Sequence, residues 1–317
     1  MKARMLAVIA AIILISLAPL FADEFQLTIA IFVLINIIVV LGLSLLMGYA
    51  GQISLGHAAL YGIGAYVSAI LSTKLQLNPF LTVLIGAAFA GGVAYLVGLP
   101  ALRLRGHYLA MATLGFGIIM TILFVELQPI TGGPGGIINI PSFHIGGFNF
   151  ETPARYFYLV FIVSLIALWL SRNIVKSQKG RALRALHENE IAASVLGVNI
   201  EKHKLFIFTL SGFYAGIGGA LYAHYARFIS PETFGLGFSI LLVTMVVVGG
   251  TENLWSALLG AGLLTILSEY FRAYQDYNLV LYGLALVLIM IFAPRGLFTE
   301  ALILAKRLVS WAGSSQS

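Results

Sequence analysis

The feature that most constrains this chain is a series of long apolar runs separated by short polar or glycine-containing segments. A run of about 20 apolar residues suffices for a helix to cross the roughly 30 Å hydrocarbon core of a bilayer. Only 9% of the 317 residues are charged and 60% are hydrophobic, which is too little polar surface for a soluble protein of this size. The sequence therefore predicts an all-α fold, a polytopic helical bundle in a membrane.

The apolar runs predict about ten spans, with a lower limit of about eight because the Gly-rich third run and the short eighth run are the weakest. The first run follows two basic residues and resembles a secretory signal, but Leu20 is too large for the usual cleavage site, which favours an uncleaved helix. The whole chain, 1–317, is read as one transmembrane domain. The expected spans are residues 5–22, 27–47, 53–72, 80–101, 107–127, 155–171, 205–226, 237–250, 254–270 and 278–293.

The distribution of lysine and arginine predicts the orientation, because cytoplasmic loops of membrane proteins are enriched in both residues. If the N-terminus is cytoplasmic, only Lys74, Arg155, Arg227 and Arg272 of the 18 basic residues lie outside. The opposite orientation would leave only these four inside. Both termini are therefore expected in the cytoplasm.

Two connecting segments are long. The external one, residues 128–154, is rich in Gly and Pro, which disfavour a regular helix, yet it is apolar enough to pack on the outer mouth of the bundle. The cytoplasmic one, residues 172–204, is the only extended polar segment in the chain.

No motif for catalysis or cofactor binding emerges from the sequence. The chain has no cysteine, and its six histidines lack the spacing of metal ligands. Residues 132–136 lack the Lys-Ser/Thr ending of a phosphate-binding loop, and Gly51–Gly56 does not have the spacing of a hydrolase nucleophile. We expect no catalytic residue, no metal site and no cofactor bound by this chain. Ionisable residues lie near the ends of the predicted spans, so a transport function would need energy from a partner.

Residues 179–199 of the cytoplasmic segment have the pattern of an amphipathic helix that ends at Gly197. A helix lying on the membrane surface would explain the pattern, and so would a helix presented to a cytosolic protein. The pattern alone does not separate them. The apolar residues at three- and four-residue steps are Ala182, Ala185, Leu186, Ala192, Ala193 and Leu196.

Five ordered segments resemble a known family. They read GYAGQISLGHAALYGIGAY (48–66), PALRLRGHYLAMATLGFG (100–117), TGGPGGI (131–137), GRALRALHENEIAASVLGVN (180–199) and ARFISPETFGLGFSILLVTMVVVGG (226–250). Together they are similar to the M-type permeases of branched-chain amino-acid ABC transporters, the LivM family, from about Leu41 to Gly296. The fourth segment resembles the Glu-Ala-Ala…Gly loop of ABC importer permeases, but Ile191 is inserted into the Glu-Ala-Ala pattern.

The resemblance implies a bacterial or archaeal cytoplasmic-membrane importer with no nucleic-acid partner. A second homologous permease completes the pathway in the lipid bilayer, and two cytosolic ATPases hold ATP and Mg. A periplasmic or lipid-anchored binding protein delivers leucine, isoleucine or valine. Apolar residues of the coupling segment are expected to matter more than charges at its rim. The residues implied in ATPase coupling are Arg181, Arg184, Glu188, Glu190, Ala193, Leu196 and Gly197.

Alternatives stay open for the substrate and for the mode of transport. Related ABC permeases carry urea, short amides or other amino acids. A secondary carrier or channel working alone is less consistent with the sequence, and an intramembrane enzyme is the least consistent because catalytic residues are missing.

The apolar part of the chain contains two further candidate features. Small residues at Gly212, Gly216 and Gly219 predict close helix packing, either static or permitting helices to slide. The stretch 48–66 predicts a break in a membrane helix, with Ser54 as the N-cap of the next helix. The residues Gly51, Gln52, Ser54 and His57 either face a substrate path or satisfy backbone groups at the break.

Overall fold

The computed structural model describes residues 15–145, 148–251 and 253–271, together with Gly283 and Val287. Within that part of the chain, seven helices are long and apolar enough to cross a membrane. The predicted span 278–293, apart from Gly283 and Val287, and the first ten residues of the predicted span 5–22 lie outside the described residues. The total of about ten spans and the cytoplasmic termini therefore stay predictions.

The described helices and strands are numbered in chain order. The helices are α1 (Ala18–Phe21), α2 (Glu24–Ser44), α3 (His57–Lys74), α4 (Pro79–Ala101), α5 (His107–Glu126), α6 (Gln128–Thr131), α7 (Pro153–Lys176), α8 (Gln178–Glu188), α9 (Glu190–Val195), α10 (Ile200–Ala226), α11 (Leu236–Gly249) and α12 (Leu254–Phe271). A π-helix, Leu45–Tyr49, continues α2, and 3₁₀ turns occupy Gly133–Gly135 and Pro231–Phe234. The strands are β1 (Ile137–Ile138), β2 (His144–Ile145), β3 (Phe148–Asn149) and β4 (Phe228–Ile229).

Asparagine side chains fix where several helices begin. Asn78 accepts a hydrogen bond from the Phe80 backbone N–H (2.9 Å), and Pro79 occupies the first helical position of α4. Asn199 accepts from the Lys202 N–H (3.0 Å) at the start of α10. These caps satisfy backbone donors that have no partner within the helix.

The centre of the bundle is α10, which packs on α2, α3 and α4. A Cβ atom added at Gly219 would collide with the Tyr61 carbonyl oxygen, and one at Gly216 would lie 2.8 Å from the Ala87 Cα atom. At Gly212 the added atom would meet the Ala94 side chain. The small face predicted on this helix is thus where α3 and α4 approach it most closely.

Helix α3 is less apolar than the seven spans. It is surrounded by α4, α5, α10 and α11.

The segment 128–154, which is predicted to be external, packs against the bundle. Strand β1 pairs in antiparallel fashion with β4, and Phe143 is buried. His224 Nδ1 donates to the Pro141 carbonyl oxygen at 2.7 Å, which ties this segment to the end of α10. Among the described residues between Gln128 and Thr152, helix is limited to the four residues of α6 and one 3₁₀ turn.

The polar segment 172–204 is more helical than predicted. Helix α7 continues to Lys176 and α10 starts at Ile200, so only residues 177–199 connect them. The expectation of one amphipathic helix over 179–199 was wrong, because Asn189 adopts an extended backbone and ends α8. Its side chain then accepts from the Ile191 and Ala192 N–H groups (3.0 and 3.1 Å) and starts α9.

Candidate coupling surface and helix break

Helix α8 is fixed to the end of α7. Its own residues Leu183 and Leu186 are buried, and its Gly180 lies against the backbone of Val175. Arg184 Nη2 donates to the Val175 carbonyl oxygen at 3.1 Å, one of the carbonyls left unpaired near the end of a helix. These contacts hold α8 as a rigid extension of the bundle.

Helix α9 is held by an ion pair at its first residue. The Glu190 Oε1 atom pairs with Lys204 of α10, and the lysine side chain is only 3% exposed. The Glu190 Oε2 atom lies 3.5 Å from Arg105 Nε. Arg105 is in the connection between α4 and α5. One carboxylate therefore ties α9 to two other parts of the bundle.

The side of α9 that faces away from the bundle exposes apolar side chains. Ile191, Val195 and Leu196 are 71%, 82% and 81% exposed. Ala193 is 1% exposed and faces inward, so it packs the segment onto the bundle and does not belong to the outer surface. Gly197 ends the segment as predicted: its φ is +81°, and the Val198 N–H donates to the Ala193 carbonyl oxygen at 3.1 Å. We call Ile191, Val195 and Leu196 the apolar patch.

The predicted break in the first long span follows the π-helix and directly contacts α8. His187 Nδ1 donates to the Gly48 carbonyl oxygen at 2.8 Å. Gly51 has φ +65°, and a Cβ atom added there would lie 3.0 Å from His187 Cδ2. Gly48 also lies against the Thr251 carbonyl group in the turn between α11 and α12. The break therefore touches both α8 and this turn.

Hydroxyl groups from the protein satisfy the backbone at the break. Leu55 N–H donates to Thr113 Oγ1 at 3.0 Å, and Ala58 N–H donates to Ser239 Oγ at 3.1 Å. The N-cap position of α3 is Gly56, so the assignment of Ser54 as N-cap was wrong. Ser54 accepts weakly from the Gly56 N–H at 3.4 Å. These contacts explain how non-helical backbone can lie within the bundle.

His57 is fully buried between two serines. Its Nε2 lies 3.1 Å from Ser211 Oγ, which itself donates to the Phe208 carbonyl oxygen at 2.8 Å. Nε2 must therefore carry the hydrogen, and Nδ1 accepts from Ser54 Oγ at 2.9 Å. Both ring nitrogens are used, which gives Ser54 and His57 a structural role at the break.

Gln52 is also buried, and its Nε2 donates to the Ala50 carbonyl oxygen at 3.0 Å. The contacts described above join the four predicted residues to other parts of the protein. A role in the substrate path stays a prediction for Gly51, Gln52, Ser54 and His57. Among the described residues, no group of three His, Asp or Glu side chains is placed to hold a metal ion.

Several of these residues carried little signal in the sequence. Ile191 and Val195 are four residues apart and lie on one face of a helix. In the sequence, however, Ile191 is only an insertion into the Glu-Ala-Ala pattern. In the sequence, Lys204 counts only as one of the basic residues expected in the cytoplasm. The residues next to it in the chain do not predict that its side chain is buried. Thr113 and Ser239 are distant from the break in sequence, so only the fold shows that they cap it.

Seven helices that are long and apolar enough to cross a membrane define a multi-pass membrane protein. The family model for "Branched-chain amino acid transport system / permease component" matches residues 6–293. The chain belongs to this family, whose members are permease subunits of ABC importers.

Curated relatives agree with this family assignment. The chain is 34% identical over 315 residues to the high-affinity branched-chain amino acid transport permease LivM of Escherichia coli K12, covering 92% of this chain and 74% of that protein. It is 26% identical over 278 residues to LivH of the same strain, covering 82% and 90%. It is 28% identical over 285 residues to BraD of Pseudomonas aeruginosa, again covering 82% and 90%. No solved structure matches the chain.

Proposed function

We propose that this chain forms part of the pathway by which leucine, isoleucine or valine crosses a bacterial or archaeal cytoplasmic membrane. A second permease completes the pathway, a periplasmic or lipid-anchored protein supplies the amino acid, and two cytosolic ATPases bind and hydrolyse ATP with Mg. The chain itself is a non-catalytic subunit. The family match over residues 6–293 supports the substrate class, and the apolar patch supports the coupling to an ATPase.

The apolar patch is the single observation that carries the coupling proposal. Two large apolar side chains on the six-residue helix α9 and a third on the residue that follows it are all more than 70% exposed, and they stand out against the charged surroundings of the polar segment. Contiguous exposed apolar surface is typical of interaction sites. A groove on an ATPase that accepts Ile191, Val195 and Leu196 would bury these side chains, as a central apolar cluster does in stable interfaces.

The contacts behind the patch supply a route for movement. Glu190 links α9 to Lys204 at the start of α10, so a shift of α9 would pull on the central helix. His187 links α8 to Gly48, where the π-helix ends and the break begins. Gly51 and the non-helical residues that follow can absorb changes in backbone angles there. Movement of the ATPase groove would thus reach the central helix through Glu190 and the broken span through His187.

The proposed function is tested by reconstituting the chain with candidate permease, ATPase and binding-protein partners in liposomes. We expect ATP-driven uptake of leucine, with urea transported far more slowly. ATP-driven uptake of urea but not leucine would refute the substrate assignment. Movement of leucine down an ion gradient by the purified chain alone would refute the ABC mechanism.

The coupling proposal has its own test. Leu196→Asp should abolish co-purification of the ATPases while the permease pair stays assembled, because a carboxylate would be buried in an apolar groove. Glu201→Gln, at an exposed residue of α10 outside the coupling set, is the control and should leave association unchanged. Normal association of the Leu196→Asp variant would show that the ATPases dock elsewhere.

A further inference from the structure

A second interruption of α-helix, made of β4 and the 3₁₀ turn Pro231–Phe234, lies between the end of α10 at Ala226 and the start of α11 at Leu236. Within it, the Phe234 ring lies 5.7 Å from Tyr61, 5.6 Å from Tyr66 and 6.2 Å from Phe124, measured between ring centroids. Irregular backbone at membrane depth is tolerated only where protein shelters it or where it lines a cavity. Here both conditions hold.

A cavity of about 350 Å³ lies beside this segment. Two of its lining residues, Phe32 and Asn36, lie near the middle of the 26-residue span Glu24–Tyr49. The cavity is therefore near the middle of the membrane. Substrate sites of membrane transporters commonly lie at this depth, next to interrupted helices. The apolar wall consists of Phe32, Ile35, Tyr61, Tyr222, Phe238 and Leu241.

The other wall of the cavity is polar. Asn36 Nδ2 donates to Thr265 Oγ1 at 2.9 Å, which joins α2 to α12. Because this oxygen already accepts, the Thr265 hydroxyl hydrogen can donate to a further group. Ser268 and Glu269 continue the same wall one turn along α12, and Glu269 is the one formally charged residue among the described residues that line the cavity.

We infer that this cavity transiently binds an amino-acid zwitterion with a branched aliphatic side chain during transport. The inference rests on the proposed function and adds a location for the substrate within this subunit. The volume falls at the lower end of the roughly 300–1,000 Å³ typical of ligand sites. A small amino acid therefore suits it better than a large ligand.

The two walls match the two ends of such a molecule. The aliphatic side chain packs against the aromatic wall, and the ammonium group pairs with the Glu269 carboxylate. The Thr265 and Ser268 hydroxyls donate to the substrate carboxylate. Glu269 lies near the end of α12, and its carboxylate places a formal negative charge beside the aromatic wall, as recognition of an ammonium group next to an aliphatic side chain requires. A lipid acyl chain would use the aromatic wall but would have no use for the acid.

The absence of cysteine from the chain allows a direct test. Ser268→Cys places one thiol on the polar wall with little change in volume. The variant is assembled with its partner subunits in liposomes, and mixed-disulfide formation between this thiol and a small methanethiosulfonate reagent, which releases methanesulfinate, is timed with and without leucine. We expect leucine to slow labelling several-fold and urea to have no effect. His144→Cys, on the exposed external hairpin, should label at the same rate in all conditions.

Two variants test the same site by transport. Leu241→Trp fills the cavity and should abolish leucine uptake, whereas Ile240→Trp, on the exposed side of the same helix, should not. Glu269→Gln should lower uptake about tenfold, because a charge-assisted hydrogen bond contributes roughly that factor to binding. Each variant is scored only after co-purification with its partner subunits and ATPase activity have been measured.

The outcomes separate failure of the site from failure of the proposed function. If the wild-type complex shows ATP-driven leucine uptake but leucine does not protect Ser268→Cys, the cavity is not the binding site. Absence of labelling in every condition would also overturn the inference, because a cavity closed to a small reagent cannot pass an amino acid. If the wild-type complex takes up no branched-chain amino acid, the proposed function fails first, and this inference fails with it.

Discussion

Replacing Glu190 with alanine should destabilise the permease through the lysine that it leaves behind. Lys204 is 3% exposed in its side chain, and Glu190 is its partner in the structure. Removing one member of a buried ion pair costs about 3–5 kcal/mol, because the other charge stays buried without compensation. Glu190 is 21% exposed, so we take the lower limit of about 3 kcal/mol.

With an unfolding entropy of about 2.1 cal/mol/K per residue over 317 residues, a loss of about 3 kcal/mol corresponds to a fall in melting temperature of about 4–5 °C. The assay is thermal unfolding of the detergent-purified permease. The double variant Glu190→Ala/Lys204→Met should recover most of the loss, because methionine fills the site without a charge. Arg105→Ala is the matched control: its side chain is 72% exposed, so its pairing contributes at most about 1 kcal/mol.

The same variants decide whether Glu190 acts within the permease or on the ATPase. If the ion pair is internal, the double variant should regain both thermal stability and ATPase association. A double variant that is stable but cannot bind the ATPase would refute this reasoning, and Glu190 would then be a direct docking residue. Equal melting temperatures for Glu190→Ala and wild type would refute the burial argument itself.

Three further predictions concern packing and coupling. His187→Ala should leave ATPase association intact but lower uptake per ATP hydrolysed, measured in liposomes, because it removes the hydrogen bond to Gly48; unchanged coupling would contradict this. Gly219→Ala should cost at least about 1–3 kcal/mol by overpacking against α3, whereas Gly92→Ala, which meets no atom within 4 Å, should be neutral in the same unfolding assay. Val195→Asp should weaken ATPase co-purification, and retention of full binding would remove Val195 from the apolar patch.

The sequence by itself determined the fold class and most helix positions, because apolar run length is dictated by the thickness of the bilayer. The runs predicted at 80–101 and 107–127 agree within one residue with α4 and α5. The weakest predictions, 53–72 and 237–250, are also helices, α3 and α11. Local signals worked where the cause was local: Gly197 ends a helix because its own backbone adopts a left-handed conformation.

Only the tertiary structure decided which face of each helix is buried. Periodicity grouped Ala193 with Leu196, yet one packs inward and the other projects outward, because Asn189 divides the segment and rotates α9 relative to α8. The burial of Lys204 and the cavity between α2 and α12 arise from residues far apart in the chain. In a membrane, nearly every helix face is apolar, so hydrophobicity alone cannot separate lipid-facing surface from packed interior.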